Sequence, residues 1–424
     1  MGESEARTGL PAALATSLIA LAALNFLIAA IQTGFGPFLG LVLTDQGWSQ
    51  EKIGIALSAG TIAGLVFQLP AGALVDAVHR KRGVLSGALA LTALSALGTA
   101  FTGAFVPVVA AQVLHVAAAA VMNPAIAAVT LSCTGHGAFS ERLGSNTRWS
   151  SLGSAAAAVL LGLLAARASN ESVFVMTALL CAPAILAAWL IRPAVPDSPD
   201  HADHLALVHP KHRRRRGHHF WTIYLHLNLH RFAFCVLLFQ AANAAMMPVA
   251  VNALAARTGS AGYVVSIAIL VSQCVGAALS PSFGRYAERF GRRPILLLGF
   301  GAMPLKGLIM TLFPGAVPLV LAQVLDGVSG AVLGIMLPLV AADLTRHTGF
   351  MNLAIGSLNL ATGIGATIST AAAGWLATAA GPQPALGALA ATGLAATVLL
   401  WAILPETKPQ VRGPAEARAA PSPA

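Results

Sequence analysis

The segment Ala-Gln-Val-Leu occurs at 111–114 and again at 322–325. The two copies lie 211 residues apart, about half the length of a chain of 424 residues. The same offset takes Gln32 to Asn243, so the match is not confined to four residues. Repeats at an offset of half a chain indicate two structural halves with the same order of elements, as in many secondary transporters. The sequence therefore predicts a protein of two similar halves.

The composition indicates a membrane protein. Hydrophobic residues make up 57% of the chain and charged residues 9%, with a mean hydropathy of +0.76, whereas soluble domains carry about 25% charged residues. A membrane-spanning helix needs about 20 mainly apolar residues, and no alternation typical of a β-barrel is visible. We therefore expect an all-α membrane protein with twelve transmembrane helices, called spans one to twelve. Their expected limits are 14–42, 52–75, 84–104, 107–132, 143–166, 171–191, 220–250, 261–284, 294–313, 317–341, 350–378 and 383–404.

The distribution of Lys and Arg orients the chain. If both termini are cytoplasmic, 20 of the 25 Lys and Arg residues fall in cytoplasmic segments, as the positive-inside rule requires. The net charge of +10 then faces anionic lipid, so it indicates membrane lipid and not nucleic acid as the partner. We expect an integral, multi-pass protein of the plasma membrane (the inner membrane in a bacterium), with both termini in the cytoplasm.

The expected organisation has five parts. A cytoplasmic N-terminus (1–13) precedes the first six-helix half (14–192). A cytoplasmic linker rich in Pro, His and Arg (193–219) leads to the second six-helix half (220–404). A cytoplasmic tail (405–424) ends the chain.

Two charged loops identify a family. The loop that begins at Gly72 reads GALVDAVHRKR, and the loop that begins at Gly284 reads GRYAERFGRR. Both resemble the G-x-x-x-D-R-x-G-R-R loop of the major facilitator superfamily, although the first departs at Ala77 and His79. The resemblance covers the whole chain and implies two pseudo-symmetric six-helix bundles around a central cavity. The latch residues that it carries over are Gly72, Asp76, Arg80, Lys81, Arg82, Gly284, Glu288, Arg289, Gly291, Arg292 and Arg293.

In the family these loops hold one state of the transport cycle. Gly72 would permit close approach of two helices. Asp76 could cap the positive N-terminus of span eleven near 348–350. Alternatively, the charges only fix the orientation of the chain.

One acid stands alone in an apolar run. Asp326 lies on span ten, and the repeat makes His115 on span four its counterpart. Both would lie near the middle of the bilayer, where ionisable groups face protein or water rather than lipid. The two could exchange a proton across the cavity, or they could be a hydrogen-bonded packing pair.

The remaining charged residues within spans are Arg148 and Lys306. Arg148 could bind an anionic substrate, snorkel, or pair with Glu141 or Asp343. Lys306 lies on span nine, which is peripheral in the family, so we expect it to snorkel or pack. Polar residues that either line the cavity or join helices are Asn25, Gln32, Asn123, Gln240, Asn243 and Asn359.

Neither a metal nor a cofactor is expected. The four cysteines have no metal-like spacing, and eight of the twelve histidines lie between 201 and 230. His226 and His230 have i, i+4 spacing, but no Cys or carboxylate completes a metal site there. A solvated linker is the main interpretation, with metal sensing as the alternative.

These features predict a monomeric secondary transporter, not an enzyme, that moves a small organic molecule by alternating access with proton coupling. A drug/proton antiporter is the alternative, although span five lacks the proline of such exporters. A non-transporting membrane receptor is a further alternative. The sequence lacks a G-x-x-x-x-G-K-[ST] loop, so the chain is not expected to hydrolyse ATP. It identifies neither the substrate nor the direction of transport.

Overall fold

The fold is almost entirely helical, as expected for a chain whose backbone must satisfy its hydrogen bonds within lipid. The structure is a computed structural model. The linker 193–219 and most of the expected terminal segments lie outside the described residues. The described residues are 12–168, 170–192, 227–258, 262–346 and 348–408.

Twelve α-helices and no strand form in the described part of the chain. Eleven helical stretches are long and apolar enough to cross a membrane, and one of them has the length of two crossings. The helices are α1 (Ala12–Asp45), α2 (Gln50–Ala77), α3 (Lys81–Phe101), α4 (Phe105–Arg167), α5 (Asn170–Leu190), α6 (Leu227–Asn243), α7 (Met246–Thr258), α8 (Gly262–Phe290), α9 (Arg292–Leu312), α10 (Ala316–Thr345), α11 (Met351–Ala380) and α12 (Pro382–Ile403).

Two places differ from a one-to-one match of helices and spans. Spans four and five form the single element α4, which is interrupted at Gly135, where φ is 66° and ψ is 177°. Glycine adopts this positive φ without the steric penalty of a Cβ atom. Span seven is divided into α6 and α7, and at the break Ala245 donates its backbone N–H to Ser369 Oγ at 3.1 Å. Span six is α5, and spans eight to twelve are α8 to α12.

The most extensive contacts between the two halves are made by two pairs of helices. Span two packs on span eleven, and span five packs on span eight. An apolar core in the second half extends to Phe139 and Leu143 of the first half. These contacts surround a central space between the halves.

Candidate functional site

The main cavity lies between the two halves. It has a volume of about 640 Å³ and is lined by spans one, four, five, seven, ten and eleven. Five of the amide residues expected from the sequence line it: Asn25, Gln32, Asn123, Gln240 and Asn359. The other polar lining residues were not expected from the sequence. Those residues are Thr33, Asn146, Thr147, Ser150, Ser154 and Thr362.

Part of the cavity wall is held by hydrogen bonds behind it. Asn25 Nδ2 donates to Leu21 O at 2.8 Å, which ties this buried amide to its own helix. Asn146 Nδ2 donates to Thr130 Oγ1 at 2.9 Å, and Asn146 Oδ1 accepts from Arg142 Nε at 3.1 Å. These bonds fix the orientation of both amides, because donor and acceptor atoms of an amide are not interchangeable.

A buried ion pair lies within the second half. Lys306 Nζ is 2.5 Å from Asp326 Oδ1, and the Lys306 side chain is 2% exposed against 27% for Asp326. Lys306 Nζ also donates to Asn243 Oδ1 at 2.8 Å, and Ser272 Oγ donates to Asp326 Oδ2 at 2.9 Å. Four spans therefore meet at one polar cluster, hereafter the Lys306 cluster (Asn243, Ser272, Lys306 and Asp326).

The Lys306 cluster decides between the two expectations for Lys306, snorkelling and packing. This side chain does not snorkel, because its ammonium is buried and holds two partners from other helices. Buried charges are normally paired in this way. The ion pair was not expected because span nine is peripheral in the family. The Lys306 side chain nevertheless extends inward, and its ammonium contacts residues of spans seven and ten.

His115 has a different environment from its repeat counterpart Asp326. Its ring stacks on Phe35, with the centroids 3.5 Å apart and the planes at 8°. Its buried Nδ1 has no hydrogen-bond partner in the described part of the chain. The polar partners of Asp326 are Lys306 and Ser272 instead. In this conformation no hydrogen bond joins the side chains of His115 and Asp326, and proton exchange between them stays a prediction.

Arg148 joins the two halves and does not line the main cavity. Its Nε donates to Ala277 O on span eight at 3.1 Å. The expected partner Asp343 is bound instead to Arg292 Nε at 2.8 Å. Arg148 is thus a helix-to-helix contact in this conformation.

The first charged loop crosses between the halves. Asp76 Oδ1 accepts from the backbone N and the side-chain Nδ2 of Asn352 at 3.2 and 2.7 Å, and Oδ2 accepts from Leu353 N at 2.8 Å. Asp76 therefore caps the start of span eleven slightly beyond the expected position 348–350. A carboxylate there also meets the positive end of the helix dipole.

Glycines allow the spans to approach closely at the same end of the bundle, hereafter the termini end, where α1 begins and α12 ends. A Cβ on Gly72 would lie 2.3 Å from Asn352 O, and one on Gly356 would lie 2.4 Å from Gln68 O. Spans five and eight repeat this contact. There a Cβ on Gly284 would lie 2.6 Å from Ser140 O, and one on Gly144 would lie 2.6 Å from Ser280 O.

The four glycines obey the internal repeat. An offset of 212 takes Gly72 to Gly284 and Gly144 to Gly356. Applying that offset to the sequence could have identified Gly144 and Gly356, which the sequence analysis missed.

The described contacts made by the charged side chains of the second loop lie within the second half. Glu288 Oε1 is 3.1 Å from Arg292 Nη2, and it does not cap the other half as Asp76 does. Glu406 Oε1 and Oε2 accept the backbone N–H groups of Arg292 and Arg293 at 2.8 and 3.1 Å. The described end of the tail is thereby tied to the start of span nine, next to Gly291, whose φ is 95°.

The Glu406 carboxyl is stabilised in its charged form. Burial raises its pKa, but the backbone hydrogen bonds from Arg292, Lys408 and Arg293 and the charge of Arg292 outweigh burial. The resulting pKa is below the usual value for Glu. Bound backbone N–H groups have this effect because they favour the carboxylate over the acid.

The other basic latch residues make local contacts. Arg82 Nη1 donates to Ile191 O at 2.7 Å, and Lys81 Nζ donates to Val75 O. Arg80 precedes the first turn of α3 without a side-chain capping bond. Arg289 lies over the Phe290 ring at 5.2 Å. None of these contacts crosses between the halves.

Metal ligands do not cluster in the described residues, where no group of three His, Cys, Asp or Glu side chains occurs. Cys133, Cys181 and Cys235 are buried, and Cys274 is exposed. Most of the histidine-rich segment, including His226, lies outside the described residues.

Comparison with known proteins identifies the family. The model of the Major Facilitator Superfamily matches residues 21–231 and 232–424. Two relatives, named uncharacterized transporters of this type, come from Mycobacterium tuberculosis strains CDC 1551 / Oshkosh and ATCC 25618 / H37Rv. Each is 34% identical over 392 residues, which is 92% of this chain and 93% of the relative.

Solved structures share the fold. The proton:xylose symporter XylE, bound to 6-bromo-6-deoxy-D-glucose, has a TM-score of 0.73 at 14% identity, with 94% of this chain and 97% of that chain covered. The Escherichia coli fucose:proton symporter FucP has a TM-score of 0.69 at 17% identity, with 91% and 97% covered. Together with the paired loops and the twelve spans, these matches show that the chain belongs to the Major Facilitator Superfamily of membrane transporters.

Proposed function

We propose that the protein is a proton-coupled secondary transporter that moves a small organic solute by alternating access. The observation that carries this proposal is the Lys306 cluster, a buried ion pair within the half that supplies part of the cavity wall. The main cavity between the halves is the proposed solute site, and Asp326 is the proposed proton carrier.

The proton coupling follows from the chemistry of a buried pair. A proton that binds the Asp326 carboxylate removes the negative partner of Lys306 and leaves a buried ammonium with Asn243 Oδ1 as its remaining acceptor. An unpaired buried charge is strongly unfavourable, so protonation favours a conformation in which Lys306 is hydrated or finds another partner. Asp326 is the less buried member of the pair, with 27% of its side chain exposed, so it is the member proposed to take up the proton.

Alternating access would use the contacts at the termini end. There Asp76 caps span eleven, and the glycine contacts join span two to span eleven and span five to span eight. If the termini are cytoplasmic, as the distribution of Lys and Arg favours, this conformation is closed toward the cytoplasm. The proposed setting is a monomer in the inner membrane of a bacterium, surrounded by lipid.

Two of the structural neighbours are transporters that move a solute together with protons. XylE and FucP are named proton symporters. Their likeness to this chain concerns the fold, so the proposal of proton coupling rests on the Lys306 cluster and not on these neighbours.

The test uses proteoliposomes that contain the purified full chain and a trapped pH-sensitive dye. Neutral sugars, amino acids, organic anions and organic cations are added outside one at a time. A solute-induced pH change in the lumen is expected for the wild type and not for Asp326→Asn. Acidification of the lumen indicates symport, and alkalinisation indicates antiport. An unchanged response in Asp326→Asn, or solute uptake without any pH change, would contradict the proton-coupling proposal.

A further inference from the structure

The described wall of the main cavity is polar but uncharged. Among its described lining residues, half carry an uncharged polar side chain, and none is charged or aromatic. The aliphatic remainder includes Ile126, Val236 and Leu337. A site recognises a ligand through the few polar groups that converge on it. The composition therefore restricts the class of solute that the cavity can bind.

Three amides offer unused hydrogen-bonding groups to the cavity. The side chains of Asn123, Gln240 and Asn359 make no hydrogen bond to any described residue, whereas Asn25 and Asn146 are tied to the protein behind them. An amide presents both donors and acceptors. The three side chains come from spans four, seven and eleven, so both halves would hold the solute. A solute that satisfies these three amides must therefore both donate and accept hydrogen bonds.

Span five adds two hydroxyl groups. Ser150 and Ser154 lie one helical turn apart, and neither hydroxyl bonds to a described residue. By contrast, the lining hydroxyls of Thr33, Thr147 and Thr362 donate to carbonyls of their own helices at 2.9–3.0 Å. Hydroxyls that are not used within the helix remain free to donate and accept. This pair matches a solute that carries several hydroxyl groups.

No charged side chain is among the described residues that line the cavity, and the charged groups nearest to it bond to other residues of the protein. Arg142 Nη2 donates to Leu18 O at 2.6 Å, and its Nε donates to Asn146 Oδ1. Lys306 is paired with Asp326 outside the described cavity lining. A charged solute in the cavity would lose hydration without direct contact with a group of opposite charge, which is strongly unfavourable. None of the described lining residues is aromatic, so an aromatic ring of a solute would have no side-chain ring on which to stack.

We infer that the substrate is an uncharged, hydroxyl-bearing solute without an aromatic ring, held by the amides of Asn123, Gln240 and Asn359 and by the hydroxyls of Ser150 and Ser154. This inference rests on the proposed function, because it names the substrate class of the same cavity. Binding is separate from proton carriage at the Lys306 cluster, so the solute itself needs no ionisable group.

The test compares matched probes on the purified full chain in detergent. D-Glucitol is the neutral probe, D-gluconate and D-glucamine are its anionic and cationic analogues, and xylitol, D-xylose and D-glucose extend the neutral set. Thermal stabilisation is measured against probe concentration, because a ligand that binds only the folded state raises the unfolding temperature. At least one neutral probe is expected to stabilise saturably, with an apparent affinity at least tenfold above that of its charged analogues.

Variants separate binding in the cavity from general stabilisation by polyols, which act on any protein surface. Asn359→Leu and Gln240→Leu keep the approximate side-chain size and are expected to weaken the apparent affinity at least tenfold. Thr397→Val on span twelve, whose hydroxyl donates to Gly393 O at 2.8 Å away from the cavity, is the control and should bind as the wild type does.

Each result bears on the inference. Tighter binding of gluconate or glucamine than of glucitol overturns it, and so does the absence of saturable stabilisation by every neutral probe. Equal stabilisation of the wild type and both cavity variants also overturns it. The dye assay with the wider solute set tests the proposed function separately. If a charged solute causes a pH change in that assay, proton-coupled transport is supported and the inference of a neutral substrate is refuted.

Discussion

Lys306 and Asp326 form a buried ion pair in which the cation is the more deeply buried member. Their charged atoms are 2.5 Å apart, and the side chains are 2% and 27% exposed, respectively. Because of this difference in burial, removal of Asp326 and removal of Lys306 should lower the stability of the fold by different amounts. Without Asp326 the ammonium stays buried with one amide acceptor, whereas without Lys306 the less buried carboxylate keeps its hydrogen bond from Ser272.

Asp326→Asn is therefore expected to lower the unfolding temperature more than Lys306→Met. Removing one partner of a buried pair typically costs about 3–5 kcal/mol, and the partial exposure of Asp326 places Lys306→Met below that range. The double variant Lys306→Met/Asp326→Asn should recover part of the loss. Thermal unfolding of the four proteins gives the coupling between the sites. Additive losses in the double variant would show that the pair is not coupled.

Asp76 is expected to stabilise the closed termini end. Asp76→Asn weakens three hydrogen bonds to Asn352 and Leu353 and removes a charge from the start of span eleven. Spin labels at the exposed positions 79 and 346 report the separation of the halves there, and their mean distance should increase. Glu288→Gln is the matched control, because Glu288 pairs with Arg292 within one half. An equal change in both variants would exclude a specific role for Asp76.

The close approach of spans two and eleven is expected to depend on Gly356. Alanine there would place its Cβ 2.4 Å from Gln68 O, so the spans must separate. Gly356→Ala should increase the same label distance and lower the share of molecules with a closed termini end. Gly374→Ala on the same span is the control, because a Cβ there meets nothing within 4 Å. That control should gain up to about 1 kcal/mol from helix propensity. A shift in the control and not in Gly356→Ala would refute the steric account.

The sequence predicted the large-scale fold because lipid imposes it. Apolar length and the distribution of Lys and Arg locate helices in a membrane without any tertiary information. The offset between the halves also paired Gln32 with Asn243. Gln32 lines the cavity together with Asn123 and Asn359, which were expected as polar residues within apolar spans. These residues face the cavity because an amide in a membrane span finds polar groups in the protein interior and not in the lipid.

Side-chain pairing could not be predicted in the same way. The Lys306–Asp326 contact depends on which faces of spans nine and ten meet, and periodicity in an all-apolar helix does not reveal that face. His115 and Asp326 share a repeat position but not an environment, since the first half offers Phe35 where the second half offers a cation. A repeat conserves backbone geometry more closely than it conserves chemistry.

The His115 ring is expected to serve packing in the observed conformation. His115→Phe keeps a ring that can stack on Phe35 and removes a buried nitrogen that has no described partner. Its unfolding temperature should equal or exceed that of the wild type, and its solute-induced pH response should be retained. His115→Ala should lose about 2–4 kcal/mol because it leaves a cavity beside Phe35. Loss of the pH response in a stable His115→Phe protein would instead assign proton carriage to His115.

Glu406 is expected to make stability depend on pH. Because its pKa in the folded protein is lowered, its carboxylate stabilises the fold at pH values above its ordinary pKa of 4.5. That contribution is lost as the pH falls through the lowered value. Glu406→Gln should therefore lower the unfolding temperature at pH 7 and flatten its decline on acidification, compared with the wild type. Glu51→Gln, an exposed change in the first turn of α2, is the control. Parallel pH profiles of the wild type and Glu406→Gln would show that the hydrogen bonds from Arg292 and Arg293 do not stabilise the charged form.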